Sequence, residues 1–288
     1  MFSIPEIKPE KASIEITTAC NHSCVYCPVS KFPQKQKIMS LNLFEYVMKE
    51  LKSLNYHLRR ISFTHYNEPL LDPFLKERIK IAMNYSFFNI VVIFTNLSVM
   101  KESLIQDLQF AQRRLVFSVN LPTANKERYF RLHGADHYPI VEENIRKLVR
   151  AGFEVKINVQ KNVFTRPEDQ ESVIERFENL ASVDIIPSDS RAGLVLKRAR
   201  SVPKGVLAGC FIKRPINHVH IGIDGEVFLC CQDFFKKYKY GSLKEMRLKK
   251  ILNSEAVKKY LGFIYGGKGV FPRNFICRSC EFAIYKNA

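Results

Sequence analysis

Three cysteines lie close together near the start of the chain, at Cys20, Cys24 and Cys27. Their C-x3-C-x2-C spacing lets three thiolates converge on one small inorganic centre, which is how iron–sulfur clusters are held. A structural zinc site is normally closed by four protein ligands, whereas three ligands leave one metal position open to an exchangeable ligand. The spacing therefore predicts a cluster with an open position, and the rest of the chain must decide whether it is catalytic.

The other five cysteines all lie in the last third of the sequence. Cys210 and Cys230 flank Gly225 in a C-x14-G-x4-C pattern, and Cys277 and Cys280 form a C-x2-C pair. Four thiolates predict a second, fully ligated site, and their spacing fits either a 4Fe–4S cluster or a four-cysteine zinc site.

The eighth cysteine, Cys231, stands next to Cys230. We expect the two side chains to face opposite ways, because neighbouring residues in a strand do so. Three roles for Cys231 stay open: a buried small hydrophobic residue, a hydrogen-atom donor that quenches a substrate radical, or a replacement for Cys230 as a ligand.

Length and composition indicate a globular chain in a reducing compartment. The 288 residues are 46% hydrophobic, enough for one large domain with a small appendage. No apolar run approaches the eighteen or so residues of a membrane span, and the N-terminus shows no secretory signal, so we expect a cytoplasmic protein. Eight cysteines in such a protein favour metal or redox chemistry over a disulfide framework.

The formal net charge of +17 is large. Lysine-rich solvated helix faces, such as Lys244–Lys250, explain part of it. An anionic partner or substrate would explain it as well, because a basic surface raises the local concentration of anions. No nucleic-acid-binding motif is recognisable, so nucleic acid is not the favoured partner, although a zinc-based nucleic-acid-binding module stays an alternative of another class.

The elements that position the first cysteines alternate between strand and helix. The predicted strands span 13–18, 60–64, 89–95, 114–120, 153–160 and 183–187. Such alternation predicts an α/β fold with a parallel sheet. About 185 residues suit a partial (βα)6 TIM-like barrel better than a closed eight-stranded barrel of roughly 250. Chemistry collects at the C-terminal ends of such strands, where the three-cysteine loop lies.

A different pattern follows in the C-terminal part. Val219–Ile223 and Val227–Leu229 predict two short strands joined by an Asp-Gly turn. A helix over Leu243–Leu261 and the C-x2-C pair come next. We therefore predict two domains, a barrel over 1–200 and a small α+β auxiliary cluster domain over 201–288.

With these features the chain resembles the radical S-adenosylmethionine (SAM) enzymes. In that family a C-x3-C-x2-C loop holds a 4Fe–4S cluster whose open iron binds SAM, and an aromatic residue such as Tyr26 precedes the third cysteine. The family's Gly-Gly-Glu-Pro stretch, which receives the amino group of SAM, matches the segment 66–69, where Tyr and Asn67 replace both glycines and Glu68 is kept.

The resemblance suggests further contacts to SAM. Ser118 and Asn120 fall where the family contacts the ribose or carboxylate of SAM, and Asn158 is a similar candidate. Arg128 follows in a segment that resembles the approach to the family's fourth helix, where an arginine would pair with the SAM carboxylate or lie on a solvated helix face.

The second cysteine set resembles the auxiliary-cluster extension called SPASM, in its shortened twitch form. The full form carries more cysteines after the C-x2-C pair, and none follows Cys280 here. The resemblance covers residues 14–282 and implies two 4Fe–4S clusters, one held by three cysteines with SAM and one held by four.

The resemblance implies reductive cleavage of SAM to a 5′-deoxyadenosyl radical, which abstracts hydrogen from a substrate. We expect an oxidoreductase that oxidises a small-molecule sugar, cyclitol or nucleoside alcohol, with Arg191 and Asp189 as polar groups near the substrate and flavodoxin or ferredoxin as the reductant. The competing interpretation is a peptide epimerase that uses Cys231, or a peptide maturase.

Overall fold

Strands and helices alternate along the first two thirds of the chain. The structure is a computed structural model that describes residues 4–187, 190–195, 205–266 and 271–286. The strands are β1 (Lys11–Ile14), β2 (Leu58–Phe63), β3 (Phe88–Thr95), β4 (Leu115–Asn120), β5 (Glu154–Lys161) and β6 (Ser182–Pro187). The helices are α1 (Leu41–Ser53), α2 (Leu75–Met83), α3 (Glu102–Leu108), α4 (Lys126–His133), α5 (Tyr138–Arg150) and α6 (Pro167–Phe177).

The six strands are neighbours in chain order, and every pair is parallel. At least one helix lies between each pair, as a parallel crossover requires. The predicted α/β fold with a partial (βα)6 barrel is therefore confirmed. Ser40 also caps α1 as its sequence suggests, since its side chain accepts a hydrogen bond from the Leu43 amide.

The C-terminal part extends the same sheet instead of standing apart from it. Its elements are β7 (Val206–Cys210), α7 (Arg214–Asn217), β8 (His218–Ile221), β9 (Glu226–Phe228), β10 (Lys239–Ser242), α8 (Leu248–Leu252), α9 (Glu255–Tyr265) and β11 (Ala283–Lys286). Strand β8 pairs in parallel with β1, and β9 and β10 continue from it in antiparallel fashion. Strands β7 and β11 form a separate antiparallel pair. The expected domain boundary at residue 200 lies outside the described residues.

Most element boundaries differ from the sequence-based expectation by one to three residues, and two elements differ further. Strand β1 ends at Ile14, although the Glu15 amide still bonds the Ile221 carbonyl and Thr17 forms an isolated bridge. The single helix expected over 243–261 is wrong, because it is two helices broken before Ser254. That serine caps α9 by accepting a hydrogen bond from the Val257 amide.

Strands β1, β2 and β5 each have one apolar and one polar face, whereas β3 is apolar on both. In β2, Ile61 and Phe63 belong to the hydrophobic core, while Arg60 and Ser62 alternate with them and face the other way. The same alternation places the following polar residues on the inner face: Lys11, Ser13, Ser118, Asn120, Asn158, Gln160, His218 and His220. Much of the inside of the barrel is therefore polar, which suits a polar ligand.

Two buried carboxylates fasten the C-terminal elements to the barrel. Glu15, which follows β1, accepts a hydrogen bond from the Ile223 amide and pairs with Lys236. Glu50, on α1, accepts a hydrogen bond from the Leu248 amide and pairs with Arg247 at the start of α8. None of the helices in the described ranges is long and apolar enough to cross a membrane.

Candidate active site

The three-cysteine loop lies at the C-terminal end of the barrel strands. Cys20, Cys24 and Cys27 line a cavity of about 170 Å³. The loop is held against the end of α4, since the Ser23 and Val25 amides donate hydrogen bonds to carbonyls in that helix. Burial raises the pKa of each of the three thiols. A metal cluster bound here must therefore displace protons.

Tyr26 lies in the wall of this cavity with its hydroxyl group fixed. The side chain is only 4% exposed. The Asn120 amide donates a hydrogen bond to the tyrosine oxygen over 2.9 Å, and His133 bonds the same oxygen from α4. Burial, together with the neighbouring His22, lowers the pKa of His133, so that its imidazole is neutral. The predicted Tyr26 and Asn120 thus form one hydrogen-bonded unit with His133.

Asn67 and Glu68 form the turn that follows β2. The Asn67 side chain donates to the Thr17 carbonyl over 2.6 Å, and the Glu68 amide donates to the Ala19 carbonyl over 2.8 Å. Both bonds join the turn to the segment that leads into the cysteine loop. The Asn67 side chain is therefore used to hold the turn, although the residue also lines the cavity.

The Glu68 carboxylate lines the same cavity as the three cysteines and is almost fully buried. It accepts hydrogen bonds from the Thr95 hydroxyl (2.6 Å), the Asn96 amide (2.6 Å) and the Leu70 amide (3.0 Å). Burial raises the pKa of Glu68 to about 7, against the opposing effect of these donors. A carboxylate has about four acceptor positions, so three bonds leave one for a donor in the cavity.

The predicted polar residues of β4 and β5 do not all reach the cavity. Ser118 and Asn120 line it. Asn158 does not line it, and its amide donates to the Ser118 hydroxyl over 2.6 Å. Arg128 does not line it either and pairs with Asp169 over 2.7 Å. We therefore place Asn158 behind Ser118 as a supporting residue.

A larger cavity of about 490 Å³ adjoins the first one. Six residues line both cavities: Thr64, His65, Tyr66, Phe94, Gln160 and Arg191. Because the two share this wall, a molecule in the larger cavity lies next to the three-cysteine loop. We call the smaller one the cofactor cavity and the larger one the substrate cavity.

Arg191, which was predicted from the sequence as a polar group near the substrate, lies in the wall that the two cavities share. Its guanidinium lies over the Tyr66 ring at 5.5 Å from the centroid, and its charge lowers the pKa of Cys27 while burial raises it. Its φ of 53° is in the left-handed region, which a non-glycine residue rarely adopts. The other residue proposed with it, Asp189, lies outside the described residues.

The four cysteines of the second set come together through β-strand pairing. Cys210 ends β7 and is the register partner of Ala283, which starts β11 three residues after Cys280. Burial and the charges of Cys210 and Cys280 raise the pKa of Cys277. Burial raises the pKa of Tyr240, and the charges of Cys230 and Cys277 raise it further, so both cysteines act on this one side chain. The donor set fits a fully ligated cluster.

The expectation that Cys230 and Cys231 face opposite ways is wrong. Strand β9 ends at Phe228, so both cysteines lie in the following turn and strand alternation does not apply. Their sulfur atoms lie within 4.8 Å of each other and of a ring nitrogen of His220. Cys231 lines the substrate cavity, whereas Cys230 is buried. The second cysteine site therefore borders the substrate cavity.

Several residues of the substrate cavity were not found by motif analysis. They are Lys11, Arg60, His65, Gln160, Arg214, His218 and His220. The signal that could have found most of them is polar residues at every second position of buried strands, because such residues must face a polar interior.

The fold and the two cysteine sites together define the family. The model of the radical SAM superfamily matches residues 14–180, and that of an iron–sulfur cluster-binding domain, SPASM, matches residues 210–281. The chain belongs to the radical SAM superfamily and is an enzyme that binds SAM, a 4Fe–4S cluster and an auxiliary iron–sulfur cluster. The three-cysteine loop beside Glu68 and the four-cysteine set fit these groups.

Three relatives show what the chain is similar to. The S-adenosyl-L-methionine-dependent 2-deoxy-scyllo-inosamine dehydrogenase of Niallia circulans is 24% identical over 275 residues, which are 93% of this chain and 91% of the relative. This similarity supports the assignment of the chain as an oxidoreductase.

Two solved structures have a similar fold. The crystal structure of BtrN in complex with AdoMet and 2-DOIA aligns with a TM-score of 0.60 at 21% identity, and the alignment covers 91% of this chain and 89% of the BtrN chain. That of Streptococcus suis SuiB bound to precursor peptide SuiA has a TM-score of 0.72 at 14% identity, with coverages of 95% and 70%. Likeness at such identities shows a shared fold.

Proposed function

We propose that this enzyme oxidises an alcohol group of a small molecule, such as a sugar, cyclitol or nucleoside, to a carbonyl group. The observation that carries the proposal is the position of the substrate cavity. It shares a wall with the cofactor cavity on one side and reaches Cys231, next to Cys230 of the auxiliary site, on another. A substrate in it lies between a site that generates a radical and a site that accepts an electron.

The bound groups supply a carbon-centred radical from SAM at the three-cysteine site and an electron acceptor at the four-cysteine site. The chain's own residues then bind and orient. We assign the amino group of SAM to the free acceptor position of Glu68 and the adenine to the neighbourhood of Tyr26. Ser118 and Asn120 are placed for its ribose or carboxylate. A substrate bound in the cavity holds the reacting carbon near the radical and displaces water from the site.

Oxidation of an alcohol carbon also requires removal of the hydroxyl proton. Arg191 is poorly suited as the base, because a guanidinium stays charged and offers no acceptor. His65 lines both cavities, and neither of its ring nitrogens has a well-formed hydrogen bond within the described part of the chain. Burial and Lys236 lower the pKa of His65 to about 3, so the ring is neutral but only weakly basic. An anion bound in the cavity would offset these effects and raise its basicity. We assign His65 as the base and Arg191 as the group that orients the hydroxyl oxygen.

A second candidate function rests on Cys231. Its thiol borders the substrate cavity, where it could donate a hydrogen atom to a substrate radical, as a peptide epimerase requires. A Cys231→Ala variant separates the two functions. An epimerase would lose its product while still forming 5′-deoxyadenosine, whereas a dehydrogenase would keep most of its activity.

The test uses the anaerobically reconstituted enzyme with SAM, dithionite and polyol probes deuterated at carbon. We expect deuterium in 5′-deoxyadenosine and a product two hydrogens lighter than the probe. With an unlabelled probe in D2O, a product that keeps its hydrogen count but carries one deuterium would instead establish epimerisation. We place the enzyme in the cytoplasm, with flavodoxin or ferredoxin as its reductant. Replacing dithionite by reduced flavodoxin in the same assay tests the reductant.

A further inference from the structure

The substrate cavity has a cationic region away from the three-cysteine loop. Lys11 and Arg60 are register partners on β1 and β2, and both side chains line the cavity. Arg214, at the start of α7, lines it as well, and its charge also acts on Cys210 of the auxiliary site. Three positive side chains from three elements therefore face one space.

No carboxylate in the described ranges lies within ion-pair distance of Lys11 or Arg60, and only Glu10 acts on Lys11 from farther away. The Arg60 Nε is buried without a hydrogen-bond partner in those ranges. By contrast, the partly buried Lys236 is paired with Glu15 and Glu226. Burying a polar or charged group without a partner costs free energy, so two neighbouring cations without an ion-pair partner require an explanation.

The cations also destabilise one another. Burial lowers the pKa of Lys11, and the charges of Arg60 and Arg59 lower it further. Burial lowers the pKa of Arg60 in the same way, with additional effects from Arg59 and Arg214. An anion placed among these groups would replace repulsion by attraction.

The remaining wall offers donors rather than negative charge. Among the described residues that line the substrate cavity, none is acidic. Two histidines of β8 complete this region: His218, whose ring bonds the Ser13 hydroxyl over 2.8 Å, and His220, which stacks on it at 4.3 Å. A ligand with several acceptor oxygens fits such a set better than a neutral or cationic ligand does.

We propose that Lys11, Arg60 and Arg214 bind a phosphate group of the substrate, so that the enzyme acts on a phosphorylated sugar or cyclitol. This rests on the proposed function and specifies its substrate class. Thr64 directly follows β2 and is four residues after Arg60, a distance of roughly 13 Å along an extended chain. A phosphate at Arg60 therefore leaves room for a sugar-sized body that reaches the shared wall at Thr64 and His65. The substrate would differ from the amine in the name of the Niallia relative, because this cavity repels a cation.

Binding is measured by calorimetry on the anaerobic holoenzyme with SAM. The probes are myo-inositol 1-phosphate and D-glucose 6-phosphate, each compared with its unphosphorylated parent, and D-glucuronate as a carboxylate. We expect the phosphorylated probes to bind at least about tenfold more tightly than the parents and the carboxylate, since charge-assisted bonds are the strong ones. Arg60→Gln and Lys11→Gln should each weaken this binding about tenfold or more.

Arg59→Gln is the matched control, because Arg59 neighbours Arg60 but is 72% exposed and lies 3.9 Å from Glu10. The iron content of each variant shows whether it has folded. If Arg60→Gln does not fold, Arg60→Lys, which keeps the positive charge, is measured in its place. Equal binding of phosphorylated and free probes, or equal loss in Arg59→Gln and Arg60→Gln, overturns the phosphate site. Oxidation of an unphosphorylated polyol would also overturn the phosphate site but would leave the proposed function standing. Phosphate binding through Arg60 without oxidation of any bound probe would support the phosphate site and contradict the proposed function.

Discussion

His65 is the residue whose conformation and position are hardest to explain by packing alone. Its φ of 116° lies outside the range that a side-chain-bearing residue prefers, at the junction between β2 and the turn of Glu68. The ring packs against His220 and Phe228 and lines both cavities. Strained residues persist where the surrounding structure fixes them, which is common at functional sites.

Replacing His65 by asparagine tests its role as a base. Asparagine tolerates positive φ better than most residues but cannot accept the proton. We expect dehydrogenation to fall by about 10²–10⁴, the usual value of a general base, while 5′-deoxyadenosine is still formed from the abstracted hydrogen. The measurement is the ratio of carbonyl product to 5′-deoxyadenosine.

The exposed His57, which bonds Asn89 on the outside of the barrel, provides the control variant His57→Asn. This variant should keep the ratio of the wild type. If His65→Asn lowers both products equally, the histidine only supports the structure and the base must be sought elsewhere.

Residues within a spaced motif could be predicted, and residues brought together by the fold could not. The cysteines, Tyr26 and Glu68 stand at fixed distances along the chain, so the sequence alone indicated them. His65 and Arg60 carry no motif, and their neighbours come from β8 and α7, more than 150 residues later in the chain. Their role depends on which strands pair, and pairing of β8 with β1 is not visible in local sequence.

At the scale of elements, Glu50 joins α1 to α8. Its carboxylate is 2% exposed and accepts the Leu248 amide over 2.8 Å, at a helix end that has no side-chain cap of its own. A negative charge at that end also interacts favourably with the helix dipole. The sequence-based prediction missed the break between α8 and α9. Ser254 fixes the start of α9 and is close to it in the sequence, but Glu50, which fixes the start of α8, is almost 200 residues away.

We expect Glu50→Ala to lower the free energy of unfolding by about 1–3 kcal/mol, because it leaves a buried amide and Arg247 without an acceptor. Thermal unfolding of the holoenzyme under anaerobic conditions measures the loss. Glu45→Ala on the exposed face of the same helix is the control and should change little. Equal melting temperatures for the two variants would contradict this anchoring role.

At the scale of the whole molecule, the two cysteine sites are built by different means and meet at one cavity. The first depends on a loop between neighbouring barrel elements. The second needs β7, the turn after β9 and the segment before β11 to come together, and its neighbour β8 belongs to the barrel sheet. Because the cysteine sets share no residue, loss of the auxiliary site should leave the SAM site in place.

Cys277→Ser tests this independence and the division of labour between the sites. The serine oxygen replaces one ligand of the auxiliary set, and iron should fall from about eight to about four per chain. We expect SAM cleavage and hydrogen abstraction to continue, while the carbonyl product is lost for want of an electron acceptor. Cys231→Ser is the matched control, since Cys231 lies beside the auxiliary site without completing the four-cysteine set, and it should keep about eight irons. Loss of all iron in Cys277→Ser would show that the two sites fold together, and full carbonyl formation with four irons would show that the auxiliary cluster does not accept the electron.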